Sequence, residues 1–220
     1  HTRLLTVTGV QTCALPISRF GKVALAEMAR VGIMVDLSHC GDRTTLEAID
    51  QSPRPVAITH SNPREYVGTG VYGAGRLKTT EALKALAARK GVIGLTPNRN
   101  MTRRGAATTL EEFGDMVAWV AERIGVDAIG MGTDYCPGHP NSVRTWWRYA
   151  RWSRESAPAE QMKIAPHEGW SEWMTTQAGL ANVIRELGRR GFRQDEIAKI
   201  MSGNWMRLFG ETFVPSGAPA

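Results

Sequence analysis

Two histidines and an aspartate stand where chemistry would need them. In "IMVDLSH" (Ile33–His39) alternation puts Ile33, Val35, Leu37 and His39 on one face. "PVAITHS" (Pro55–Ser61) repeats the device with Val56, Ile58 and His60, and "DAIGMGTDY" (Asp127–Tyr135) puts Gly130, Gly132 and Asp134 on one parity. The first two rows end in an imidazole at the C-terminal tip of a strand, and the third in a carboxylate. Parallel strands gather such tips at one end of a sheet, where barrel and open-sheet enzymes carry their sites. Imidazole and carboxylate are zinc ligands, and a catalytic zinc activates water and polarises a carbonyl. A lone strand-end histidine is more often a hydrogen-bonded structural residue. Two in matching register, with a strand-terminal aspartate, favour a metal site.

The neighbours of these residues read differently. Asp36 and Ser38 lie on the opposite parity and are read as structural groups that orient a ligand from behind. His139 and His167 fall in proline-containing loop sequence and are read as solvent-exposed. Cys40 follows a candidate ligand, and burial beside the site accounts for it.

The elements that must position these groups alternate. "KVALAEMARVG" has helical spacing and stops at Gly32, and Thr44 to Gln51 is helical. "TTEALKALAARKG" predicts a helix opened by threonine and closed by Gly91. "VIGLTPN" (Val92–Asn98) is a further strand, and "TLEEFGDMVAWVAERIG" a further helix. After the last strand come an aromatic, basic stretch, the helix "LANVIRELGRRG" and a helix around "QDEIAKIMSGNWMRLFG". Near-continuous apolar strands separated by amphipathic helices make an α/β fold with a parallel sheet. Four such units are too few for a full eight-unit barrel, which typically takes about 250 residues. A doubly wound sheet fits four or five strands, so the count alone leaves both architectures open.

The opening stretch is of another kind. "HTRLLTVTGVQTCALPIS" has neither helical nor strand period, and its apolar run Cys13-Ala14-Leu15 is cut at once by Pro16. A secretory signal needs about 7–15 apolar residues, so it is not one. Back-translated, Val7 to Ile17 resembles the indexed adapter of short-read DNA libraries, and we set residues 1–18 aside as a non-native scar. Residues 19–215 are then the domain and 216–220 a tail. Cys40 and Cys136 are the remaining thiols, too few for a disulfide framework. No apolar stretch approaches the roughly 20 residues of a membrane span. The compartment stays open, because a lost N-terminus is able to carry a signal.

"VDLSHCGDRT", "PVAITHSNPR", "IGMGTDYCPG" and "GNWMRLFG", in this order and at these distances, resemble the membrane (renal) dipeptidase family of metallopeptidases, from about Arg19 to Phe213. The resemblance implies a (β/α)8 barrel carrying two zinc ions bridged by a carboxylate and hydrolysing dipeptides. His39 and His60 would be ligands of the second zinc, and Asp134 the acid/base that takes a proton from the bridging water. Arg76, in "GRLKTTEAL", would contact the substrate carboxylate, although the loop "EYVGTGVYGA" before it looks longer than usual. A dipeptide would be the substrate, and the resemblance admits a homodimer. The chain departs from the family at Asp134-Tyr135-Cys136-Pro137-Gly138, where many members read Asp-Phe-Asp-Gly. The family's His-x-Asp pair and bridging glutamate have no counterpart upstream of His39. The domain is therefore expected to be about strands 5–8 of the barrel, with a C-terminal helical extension. Such a chain should bind zinc weakly, fail to turn over dipeptides, and self-associate through unpaired strand edges and an uncovered apolar interior.

Two rival functions remain. Another barrel metal hydrolase of the amidohydrolase type, acting on lactones, phosphoesters or cyclic amides, would commonly show a carboxylated lysine, and no strand here ends in lysine. A binding protein would draw on the net charge of +6 and on "RTWWRYARWSRE" (Arg144–Glu155) to stack bases and neutralise phosphates. Wound as a helix, however, that stretch puts Arg144, Arg148 and Arg151 on one side and Trp146, Tyr149 and Trp152 on the other. This is the pattern of a helix packing its aromatic face, and nucleic acid is not expected as a partner.

Overall fold

The computed structural model describes residues 16–71, 73–135 and 171–215. Most of the adapter-like stretch, Cys136, His139, His167, the Arg144–Glu155 segment and the 216–220 tail lie outside the described residues.

The chain enters on α1 (Arg19–Val31) and α2 (Asp42–Gln51). Ser18, at the end of the adapter-like stretch, caps α1 by accepting from the Gly21 N–H, and Ile17 donates its N–H to Glu47 at 2.7 Å. Gly32 ends α1 in the left-handed region at φ 76°, a conformation that favours glycine. Strand β1 (Ala57–Ser61) leads to the short α3 (Arg64–Val67) and to α4 (Thr80–Ala88), which Thr79 caps. Gly91 does not close α4 as the sequence suggests. The helix ends at Ala88, and Lys90 takes the left-handed conformation instead, at φ 58°.

Strand β2 (Val92–Leu95) is buried along its whole length, as a parallel strand covered on both faces must be. Helix α5 (Leu110–Ile124) follows, opened by a capping box between Thr109 and Glu112. Its Phe113, Met116, Val117 and Val120 form one helical stripe that packs into the core. Strand β3 (Ile129–Met131) comes next. After the undescribed segment come α6 (Leu180–Arg189), α7 (Gln194–Ala198), a π-helical turn over Lys199–Gly203, and α8 (Asn204–Thr212).

The three strands form a parallel sheet in the order β1-β2-β3. The fold is thus α/β with a small parallel sheet. All three strands are shorter than their apolar patterns suggest: β2 ends at Leu95 rather than Asn98, and β3 ends at Met131, so Asp134 lies beyond its tip. Asp127 and Ala128 belong to a 3₁₀ turn before β3, and Pro55 and Val56 precede β1. The expected strand Ile33–His39 is an extended segment joined to β1 by one bridge, Asp36 to Ala57. The Ala57 N–H donates to the Val35 carbonyl at 2.9 Å, and the Leu37 N–H to the Ala57 carbonyl at 2.8 Å. It has no partner strand on its outer side among the described residues, and these two are the backbone bonds that join it to β1.

Two asparagines tie the sheet to its surroundings. Buried Asn62, just past β1, donates to the Thr96 and Met101 carbonyls at 2.8 Å and accepts from the Thr96 N–H. Asn204, at the start of α8, donates to the Val126 and Ile129 carbonyls, and its neighbour Trp205 donates its indole N–H to the Met131 carbonyl. The "GNWMRLFG" motif therefore fastens the last helix to β3. Among the described residues no helix is long and apolar enough to cross a membrane.

Candidate metal centre

The tips of the first extended segment and of β1 meet as their spacing implies. His39 Nε2 and His60 Nε2 are 3.0 Å apart, with the rings edge-on at 63°. The register of β1 against β2 shifts between Ile58 and Ser61, so the chain bulges at Thr59 and His60. A bulge re-aims a side chain at a strand end, and here it turns His60 toward His39. The bulge also pushes the Thr59 carbonyl across the sheet, where a Cβ on either Gly94 or Gly132 would collide with it.

Behind the histidines lies a network that sequence parity indicates only in part. Asp36 Oδ1 accepts from the Ser38 N–H at 3.0 Å, the Ser38 hydroxyl at 2.6 Å and the Thr59 N–H at 3.0 Å. Its Oδ2 accepts from the Thr59 hydroxyl at 2.7 Å. Partial burial pushes the Asp36 carboxyl up, but these hydrogen bonds from Ser38 and Thr59 outweigh it and hold the group below its ordinary value. Thr59 Oγ1 in turn lies 3.0 Å from His60 Nδ1.

A second device holds His39. Lys78 is 1 % exposed, and its ammonium donates to the Leu37 carbonyl at 2.7 Å, the Cys40 carbonyl at 2.6 Å and Thr45 Oγ1 at 3.3 Å. The turn that presents His39 is thereby pinned on both sides. Burial lowers Lys78 to about 8. It also pushes the Cys40 thiol up, which keeps Cys40 protonated at neutral pH and inert as a nucleophile. Arg64 makes a forked pair with Asp42 at 2.6 and 2.7 Å, tying α3 to α2 beside the site.

Arg76 sits at the mouth, its Nη1 3.5 Å from His39 Nε2. Partial burial, then the charge of Arg76 and the neighbouring His60, hold His39 below the ordinary imidazole value. Asp134 acts on the same ring through its charge, in the opposite sense. It is exposed, stands at φ 53° and accepts from Asn98 Nδ2 at 3.2 Å. Aspartate is among the few residues that adopt this left-handed backbone readily. The structure thus joins His39, His60 and Arg76 by contact and sets Asp134 within electrostatic reach of His39.

The donor set matches part of a metal ion's coordination. Zinc–imidazole bonds of about 2.0–2.1 Å place two tetrahedral corners about 3.3 Å apart. The observed 3.0 Å between the two Nε2 atoms is close to that spacing. His39, held below the ordinary imidazole value, is uncharged at neutral pH, as a metal-binding imidazole must be. The pair fits two corners of one ion. Among the described residues, no group of three or more His, Cys, Asp and Glu side chains completes it.

Comparison with known proteins places the chain in a family. The profile of the membrane dipeptidase family, peptidase family M19, matches residues 10–151. The chain belongs to this family. The matched range begins inside the adapter-like stretch and runs through all four predicted site residues. Among curated relatives, the chain is 26% identical over 196 residues to dipeptidase tcpJ of Claviceps purpurea, covering 89% of this chain and 38% of that protein. Among solved structures it resembles an amidohydrolase from Pseudomonas aeruginosa with a TM-score of 0.76 at 29% identity, over 90% of this chain and 58% of the other. A metallopeptidase from Rhodobacter sphaeroides, solved with a phosphinate mimic of the dipeptide L-Ala-D-Ala, shares the fold with a TM-score of 0.68 at 21% identity, over 90% of this chain and 48% of the other. The chain therefore spans well under two thirds of the proteins it matches.

Sequence reasoning missed three residues that support the candidate site. Thr59 precedes a candidate ligand but lies on the unwatched parity, and a hydroxyl there was the available signal. Lys78 gave no signal, because nothing in "GRLKTTEAL" separates a buried lysine from an exposed one. Asn98, which holds Asp134, ends a predicted strand and was legible only as a strand-tip polar residue.

Proposed function

We propose that the protein is a zinc-dependent dipeptidase in which His39 and His60 hold one ion, Asp134 is the acid/base and Arg76 binds the substrate carboxylate. The observation that carries the reading is the convergence of two imidazole Nε2 atoms at 3.0 Å, 3.5 Å from an arginine, in a chain of the M19 family. A bound zinc would supply Lewis acidity toward the peptide carbonyl and a water of lowered pKa. Asp134 would be the group that takes up a proton from the attacking water and returns one to the leaving amine, and Asn98 holds its carboxylate in place. Arg76 orients the dipeptide by its C-terminal carboxylate, a charge-assisted contact that rejects longer peptides lacking a carboxylate at that distance. The phosphinate bound by the Rhodobacter sphaeroides relative makes L-Ala-D-Ala the first substrate to try.

Further parts of this reading concern the architecture. The parallel sheet supports consecutive strands of a (β/α)8 barrel, with residues 19–215 as its C-terminal part and α6–α8 as the extension. With two imidazoles and no completing ligand among the described residues, the 220-residue chain should hold zinc weakly and leave dipeptides uncleaved. Fusing residues 19–215 behind the matching N-terminal segment of an M19 relative tests the assignment. The fusion should hydrolyse dipeptides and not lactones or phosphoesters, and Asp134→Asn should cost about 10²–10⁴-fold. A fusion that cleaves a lactone or phosphoester but no dipeptide would overturn the assignment.

A further inference from the structure

The hydrogen bonds around Asp36 have a direction, and that direction reaches the metal site. An ionised carboxylate only accepts, and a hydroxyl has a single proton to give. The shortest contact of the Ser38 hydroxyl is to Asp36 Oδ1 at 2.6 Å, and that of the Thr59 hydroxyl is to Asp36 Oδ2 at 2.7 Å. Both protons are therefore directed at the carboxylate. Ser38 Oγ, 2.9 Å from Thr59 Oγ1, accepts the His60 N–H at 3.1 Å on one of its two lone pairs. Thr59 Oγ1 is left as an acceptor toward His60 Nδ1 at 3.0 Å. That contact is a hydrogen bond only when Nδ1 carries the proton. The opposite orientation, Thr59 donating to Nδ1, would set hydroxyl and carboxylate lone pairs against each other at 2.7 Å.

We infer that Thr59, oriented by Asp36, fixes His60 as the tautomer protonated on Nδ1 and so presents a bare Nε2 toward His39 for a divalent transition metal. Thr59 and Asp36 are positioning residues, since they act through His60. The chain Asp36–Thr59–His60 does with one intervening hydroxyl what a directly bonded carboxylate does for a metal-binding histidine elsewhere. The bulge at Thr59 is what permits it, because it brings a side chain and its sequence neighbour into mutual hydrogen-bond reach. The metal-binding part of the inference rests on the proposed zinc reading. The tautomer does not.

The test is a long-range ¹H–¹⁵N correlation spectrum of the full chain labelled at histidine and treated with chelator, with His60 assigned from His60→Gln. His60 should show a protonated Nδ1 and a pyridine-like Nε2. Thr59→Ser should keep this pattern, and Thr59→Val should shift His60 toward the Nε2-protonated form and weaken zinc binding about tenfold or more. A wild-type His60 protonated on Nε2, or a Thr59→Val spectrum unchanged at His60, overturns the inference. Should Thr59→Val fail to fold, the wild-type and Thr59→Ser spectra decide it. The expected tautomers in a chain that takes up no zinc would uphold the positioning role and refute the zinc reading.

Discussion

At the scale of single residues, the candidate site is a pair of imidazoles held from two sides by groups that lie behind them. Asp36 and Thr59 fix His60, and Lys78 pins the turn of His39. Lys78 also carries a pH signature. Its folded value of about 8 lies below the ordinary lysine value, so between about pH 8 and 10.5 the unfolded chain binds more protons than the folded one. Stability should therefore rise with pH through that window, after the full cost of burying the charge below it. Urea melts at pH 7.5 and 10 should show this rise in the wild type and lose it in Lys78→Met. Equal pH slopes in the two proteins would refute the assignment. The histidines themselves were legible in the sequence, because apolar alternation ending in imidazole is a pattern with few meanings. Lys78 and Thr59 were not, because a residue that works through a hydrogen bond leaves no periodicity.

At the scale of elements, the strand tips depend on glycines and the helices on their caps. Gly94 and Gly132 leave room for the Thr59 carbonyl that the bulge in β1 drives across the sheet. Gly132→Ala should force that carbonyl back, cost about 1–3 kcal/mol and loosen His60. Denaturant unfolding and zinc affinity measured on the same variant should fall together. A loss of neither would show that the sheet relaxes freely at this point. Asn204→Ala should be comparably severe, on the order of 2–3 kcal/mol, since it leaves the Val126 and Ile129 carbonyls without their donor. An unchanged melting midpoint would argue that α8 is not anchored through Asn204. The helices were read nearly in full, because Thr79, Thr109 and Gly32 mark their ends chemically. The strand Ile33–His39 was over-read, because an apolar run specifies extension but does not supply a partner strand.

At the scale of the whole molecule, much apolar surface is uncovered among the described residues. Phe20 is 80% exposed and Ile33 52% exposed. Phe213 and Val214 are also exposed, and their backbone passes directly beside Gly32. Together with the singly bridged segment at the edge of the sheet, such a surface is expected to favour self-association. Sedimentation velocity should show mass rising with concentration, and Phe20→Lys combined with Ile33→Lys should reduce it. A monodisperse monomer at every concentration would contradict that reading. The family was legible because the four motifs serve separate structural ends: His39 and His60 converge, Arg64 clamps Asp42, and Asn204 and Trp205 fasten the last helix. What no motif conveys is how much of a metal's coordination sphere one chain can complete.

The central claim is that His39 and His60 share one metal ion, and calorimetric titration of zinc into the chelator-treated chain tests it most directly. Weak binding of a single ion is expected, abolished in both His39→Ala and His60→Ala and independent of Arg76→Ala within a few-fold. Zinc binding that survives either histidine substitution would contradict it, as would two tightly held ions per chain.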